Sequence, residues 1–322
     1  MDIYIKFIVA AVLAGTPILF GILGEIMNEK TGHLNLGVEG MMALGACGGF
    51  CAGYFSDNLA VALLVAFLAG ALSALIYAFL TVTLMANQNV TGLTLTIFGI
   101  GLSNFIGDCA RKYALENMGA DSLKLPANIS TQLSDIHIPF LSDIPIVGPL
   151  LFSFNPYVYL GIAIAIILAI YYNYTKVGLS VRAIGENPAA ADAAGIKIVK
   201  LKYINLLIGG GICGIGGSYC SMITCGGVWL PDSVNGMGWI AVALVIFSTW
   251  KPSKAIFGAF IFGAFSILKY YVPKSVLSIP NAFYDMLPFL LTSLILVISS
   301  IRQSKENAQP ASCGINYFRE ER

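Results

Sequence analysis

A few polar side chains in this chain stand inside apolar stretches, where lipid would make them costly. Glu39 follows His33, Asn35 and Gly37 at the start of Leu36–Phe55, and a charge at a bilayer centre costs about 2.5–3.5 kcal/mol on insertion scales. Two readings stand: a broken helix turns Asn35 and Glu39 toward a water-filled pathway, or both lie near an interface where charge is cheap. Thr91, Thr94, Thr96, Ser103 and Asn104 load a second apolar stretch, Thr91–Gly107. Thr94 and Asn104 are ten apart, near three helical turns, and Thr91 is three before Thr94, so the spacing predicts one shared face. Its hydroxyls and amide suit sugar hydroxyls or a base edge, and equally suit bonds to neighbouring helices.

Other patterns exclude chemistry. Gly-Lys never occurs as a pair, so the chain has no P-loop and no route of that kind to ATP. Gly209, Gly211 and Gly214 match G-x-G-x-x-G but lie inside an apolar segment without a βαβ unit. There, Gly210, Gly214 and Ser218 form a small-residue ridge that lets helices approach closely in lipid. Of seven cysteines, Cys47, Cys51, Cys213, Cys220 and Cys225 fall in apolar segments and read as small buried side chains. No CxxC pair occurs, and His33 and His137 are isolated. We therefore expect no metal site, no cofactor in this chain and no catalytic constellation.

The elements that position these residues are apolar helices. The 322 residues are 57% hydrophobic and 11% charged, against about 25% charged in soluble domains. A net charge of +1 gives no reason to expect nucleic-acid binding. Stretches near the 20 residues a span needs are Ile5–Gly24, Leu36–Phe55, Leu59–Leu84, Thr91–Gly107, Tyr157–Tyr174, Tyr203–Cys225, Gly238–Trp250, Ala255–Val272 and Asn281–Ile301. The expected fold is an all-α, polytopic membrane bundle of about nine spans, within eight to ten. Ile144–Phe154 and Gly226–Gly236 are too short to cross and read as surface or re-entrant turns.

Basic residues orient the bundle. Twelve of the 18 Lys and Arg fall in loops around Lys30, Lys176–Lys202, Lys251–Lys254 and the tail from Arg302. Under the positive-inside rule these are cytoplasmic, with the N-terminus outside and the C-terminus inside. The domain then covers residues 1–302, with an external loop at 108–155 and a cytoplasmic loop at 175–202. The polar tail, 303–322, is expected to be poorly ordered. Trp229, Trp239, Trp250, Tyr270 and Tyr271 fall near span ends, as interfacial anchors do.

One cytoplasmic stretch is too polar and alanine-rich to span: VGLSVRAIGENPAAADAAG, Val177–Gly195. Asn187 before Pro188 is a good helix start, the alanines propagate helix, and Gly195 suits a left-handed stop. The result is a short helix of about two turns, either an ordinary loop element or a docking knob.

RAIGENPAAADAAGI, with TGHLNLGVEGMMALGA at Thr31–Ala46 and NQNVTGLTLTIFGIGLSNFIG at Asn87–Gly107, closely resembles ABC-transporter permeases of the branched-chain amino acid, ribose and nucleoside group, most of all those for nucleosides or simple sugars. The resemblance implies that Arg182, Gly185, Glu186, Asn187, Pro188, Ala190, Asp192 and Gly195 form a coupling segment seated in an ATP-binding cassette subunit. It further implies that ATP and Mg bind in that partner, that a second permease subunit completes the passage, and that an extracytoplasmic binding lipoprotein delivers cargo to Asp108–Asn155. A plain cap over the outer face is the other reading of that loop. Lipid of the bacterial cytoplasmic membrane would surround the bundle. Asn35, Glu39, Thr91, Thr94 and Asn104 are the candidate pathway residues. An ion-coupled secondary transporter is the competing class, with Glu39 and Asp285 as its embedded charges.

Overall fold

The computed structural model describes residues 3–119, 122–136, 142, 144, 147–271, 280–302 and 308–318. His137 lies outside them, as does the side chain of Asp285. Helix α1 (Ile3–Glu29) leads through a tight turn to α2 (Val38–Ser56). Next come α3 (Leu59–Ala78), prolonged by a π turn over Phe79–Thr83, and α4 (Gln88–Met118). The short helices α5 (Ala127–Gln132) and α6 (Val147–Leu151) precede α7 (Pro156–Tyr174). After α8 (Lys176–Glu186) and α9 (Pro188–Ala193), α10 (Ile198–Tyr219) is prolonged to Thr224 by a second π turn. Helices α11 (Met237–Phe247), α12 (Pro252–Tyr271) and α13 (Asn281–Arg302) close the bundle.

Among the described residues six helices, α1, α3, α4, α7, α10 and α12, are long and apolar enough to cross a membrane. Among the described residues the expected count of about nine is not confirmed. The stretch Gly238–Trp250 yields only the 11 residues of α11, about 16 Å at 1.5 Å per residue against a core of about 30 Å. Helix α2 has the length, but it is glycine-rich, carries Glu39 and is mostly buried against its neighbours.

Asparagine sets the starts of α3, α4 and α7. Asn58 accepts from the Ala60 and Val61 amides at 2.9 and 3.3 Å, Asn87 from Val90 at 3.1 Å, and Asn155 from Val158 at 3.3 Å. Each satisfies amides that a helix start leaves free. Helix α10 runs through the middle of the bundle, packed on α1, α2 and α3. Its small residues permit this: a Cβ on Gly214 would strike the Ala66 carbonyl, and one on Gly45 would strike Gly214 itself. Lipid is as apolar as leucine, so close van der Waals contact of this kind holds helices together.

The connections sort onto two faces. On one, Trp250 Nε1 donates to Glu29, the Gly314 amide to Gly32, Ser312 to Gly185, and Asn316 to Met85. On the other, the Leu125 amide donates to Gly227 at 2.8 Å, the Trp229 amide to Leu123 at 3.0 Å, Asn128 to Asp57, and Tyr271 to Lys6.

Three expectations change. Trp229 and Trp250 are 6% and 5% exposed, core side chains and not interfacial anchors, whereas Trp239 is 39% exposed. Helix α4 continues to Met118, so the loop expected from residue 108 begins later. Tail residues 308–318, polar and proline-bearing, take defined positions because their backbone and amide groups bond across three separate loops.

The packing generates a test. Gly214→Leu should destabilise the purified protein by about 1–3 kcal/mol, the cost of overpacking a filled site. Gly101→Leu, on α4 with nothing near its Cβ position, should leave the unfolding midpoint unchanged or raise it. Equal midpoints for the two variants would contradict the close seam.

Candidate functional site

Two places bring candidate residues together: the α8–α9 elbow and a polar cavity between α2, α4 and α11. The elbow is built by capping. Thr175 accepts from the Gly178 amide at 3.0 Å and starts α8, whose buried face is Gly178, Val181, Ile184 and Gly185. At Asn187 the backbone leaves helix (φ −150°, ψ 94°) and its Oδ1 accepts from Ala190 at 3.0 Å, starting α9 with Pro188 in the first turn. Gly195, at φ +78°, ends the segment in the left-handed region.

The helix expected from Asn187 is α9, and a second, α8, precedes it and holds Arg182, Gly185 and Glu186. The signal was present in Val181, Ile184 and Gly185, spaced i, i+3, i+4 behind a threonine cap. Ile184, Ala191 and Ile198 make a small apolar core beneath the elbow, leaving Arg182, Glu186, Asn187, Ala190, Ala193, Ala194 and Gly195 exposed. Asp192 is half-buried and accepts from the Tyr317 hydroxyl at 3.1 Å. Gly185 presents its carbonyl to the Ser312 amide and hydroxyl, at 2.9 and 2.6 Å. Burial, with the nearby Arg182 charge, lowers the pKa of Lys30 beside the elbow.

The polar cavity, about 390 Å³, is lined by Glu39, Ser103, Asn104, Asp232, Asn235 and Trp239 among others. Glu39 is 4% exposed. Its two oxygens accept from the Gly236 and Gly238 amides at 2.7 and 2.6 Å. It thus caps α11 from a different helix, and a carboxylate is favoured at the positive end of a helix. Asn104 and Asp232 are paired twice: Nδ2 to Oδ1 at 2.9 Å, and the Asp232 amide to the Asn104 Oδ1 at 3.2 Å.

The other pathway candidates lie elsewhere. Asn35 is fully buried; its Oδ1 accepts from Gly37 and its amide donates to Glu25, both at 2.9 Å. It holds the α1–α2 turn and lines neither this cavity nor the α4 groove. Thr91 and Thr94 bond the carbonyls of Asn87 and Val90 in their own helix, both at 2.8 Å. They share a mostly apolar groove of about 180 Å³ with Ile76, Tyr77, Leu80 and Phe98. The single face expected for Thr91, Thr94 and Asn104 does not form, because ten residues at 3.6 per turn leave Asn104 about 80° short of three full turns. Asp232 as the Asn104 partner is legible only in three dimensions. So is the buried set Glu25, Asn28 and Glu29, which lies just beyond the apolar stretch read as the first span. Among the described residues no cluster suited to a metal ion occurs.

A family described as branched-chain amino acid transport system, permease component, matches residues 7–296. The guanosine ABC transporter permease protein NupQ of Bacillus subtilis is 34% identical over 89% of each chain. The nucleoside ABC transporter permease protein NupC of Lactococcus lactis is 29% identical over 98% of each. A Haloferax volcanii protein named as a candidate glucose ABC transporter permease, TsgC13, is 32% identical over 97% of each.

The geometry of Glu39 predicts a graded loss. Glu39→Ala leaves the Gly236 and Gly238 amides without their acceptor, costing about 1–3 kcal/mol for each group that stays buried. Glu39→Gln keeps one acceptor and should lose less. Thermal unfolding of the purified variants reads the order wild type, Gln, Ala; no loss in Glu39→Ala would remove the capping role.

Proposed function

The chain belongs to the branched-chain amino acid transport permease family, a non-catalytic component of ABC transporters, and on that premise we propose that it forms the passage of an importer for nucleosides or related simple sugars. ATP and Mg bind in a separate cassette subunit, which seats against α9. The observation that carries this reading is the elbow itself: two helices, each capped by a side chain, fixed on an apolar underside and offering a surface of small residues. Ala190, Ala193, Ala194 and Gly195 give a partner a close approach, with Arg182 and Glu186 beside them for charge pairing.

In this reading the elbow face is cytoplasmic, in a bacterial cytoplasmic membrane, so the N-terminus is outside and the tail inside. The opposite face, with α5, α6 and the loop before α11, receives cargo from a binding lipoprotein. A second permease subunit, identical or related, completes the passage. The polar cavity at Glu39, Asn104 and Asp232 lies where cargo crosses. Alternating access then requires that cassette closure favour one of two bundle arrangements through different contacts in each.

Bulk on the docking surface should uncouple the machine. Ala190→Trp should reduce uptake of labelled guanosine at least about tenfold, equivalent to 1.4 kcal/mol of lost coupling, while the complex still hydrolyses ATP. Normal uptake would remove α9 from the docking surface. Orientation is tested separately: a cysteine in place of exposed Asn128 should react with an impermeant maleimide on intact cells. Reaction only after lysis would invert the topology.

A further inference from the structure

A cavity of about 600 Å³ opens on the elbow face between the end of α3, the start of α10 and the tail. That volume falls within the range of small-molecule sites; the passage does not use it, and it shares only Asp192 and Gly195 with the coupling segment. Val82, Met85, Ile198 and Val199 give it apolar walls. Three lysines, Lys197, Lys200 and Lys202, outnumber the one carboxylate, Asp192, in its lining. Helix α10 begins there, and its N-cap residue, Lys197, makes no side-chain capping bond, so the free amides of a 22-residue helix start at the cavity.

Lys202 also lines it. This side chain is 6% exposed, and among the described residues no ion pair or hydrogen bond engages its ammonium. A buried charge without a partner is costly. His33, 1% exposed, lines the same cavity, and its Nδ1 has no hydrogen-bond partner. Burial, with the Lys202 charge beside it, holds this imidazole well below its ordinary pKa, so the ring is neutral. Lys197 and Lys200 are exposed at the rim. Asp192 is the acidic member of the lining, and its Oδ2 is engaged by Tyr317.

We propose that this cavity binds a phosphate-bearing ligand, its phosphate held by Lys202, the α10 N-terminus and the rim lysines, and its body lying on Val82, Met85 and Ile198. Helix N-termini bind such anions through free amides and the helix dipole, and Lys202 adds a charge that none of the described residues pairs. Two sources offer this chemistry, a soluble phosphomonoester and an anionic lipid headgroup. Because Asp192, Gly195 and Ile196 lie in the wall, an occupant would tie the segment after α9 to α10. That consequence rests on the function proposed above; the binding does not.

The test uses the full-length chain, purified in its transporter complex and placed in phosphatidylcholine nanodiscs. Guanosine monophosphate and inorganic phosphate are titrated in one arm, and phosphatidylglycerol replaces part of the lipid in the other. At least one arm should raise the unfolding midpoint, and Lys202→Met should weaken that response at least about tenfold, or 1.4 kcal/mol. A response to guanosine monophosphate or phosphate assigns a soluble ligand; one confined to phosphatidylglycerol assigns a lipid. Should Lys202→Met disturb the fold, the rim double variant Lys197→Gln/Lys200→Gln must show a weakened response. No response in either arm, or an equal response in wild type and the rim variant, overturns the site. Neither arm reads transport, so failure here leaves the importer reading untouched.

Discussion

Inside an apolar bundle every backbone amide must find an acceptor, because each one left unsatisfied costs several kcal/mol where no water reaches. This chain interrupts its helices within the bundle and meets that demand with specific side chains. Glu25 accepts from the Asn35 amide, Asn35 from Gly37, and Gln88 from Leu34 at 2.9 Å. Glu39 accepts from Gly236 and Gly238. These acceptors let α2 and α11 begin inside the bundle, and the polar cavity opens beside the start of both. Without them the breaks would be too costly to keep, and the helices would present an unbroken apolar wall.

The same economy bears on the choice between transport classes. A secondary transporter needs embedded ionisable groups that are available to exchange an ion. Glu25, Glu29 and Glu39 are buried, and each is engaged in holding another element: the α1–α2 turn, Trp250 and α11 respectively. Helix α10, by contrast, physically connects the two candidate sites. The elbow and residues 194–197 lead into it, and the loop carrying Asp232 leaves it. Packed on α1, α2 and α3, it is a rigid element through which a push at α9 would reach the cavity.

Much of this was legible in the sequence because apolar runs, caps and small-residue spacing are local. The asparagine cap at Asn187, the left-handed Gly195 and the close seam at Gly214 stand where composition and spacing put them. What failed was non-local or angular. Glu39 reads as a charge in a span until the amides of Gly236 and Gly238, nearly 200 positions later, supply its partners. Trp250 reads as an anchor until the fold brings Glu29 to it. The face assigned to Thr91, Thr94 and Asn104 failed by a fraction of a helical turn, and α8 was hidden because it is amphipathic and adjoins a more conspicuous motif. Residues 308–318 of the tail depart from the expectation because polar composition predicts solvation, not a set of bonds to three distant loops.

The central claim is that this chain supplies a passage moved by a separate ATP-splitting subunit through the α8–α9 elbow. Proteoliposomes holding the permease with and without its cassette partner test it most directly, with guanosine uptake measured against internal ATP and against imposed proton or sodium gradients. The account predicts uptake that requires both the partner and ATP and is indifferent to the gradients. Concentration of guanosine by vesicles lacking the partner, driven by an ion gradient, would contradict it.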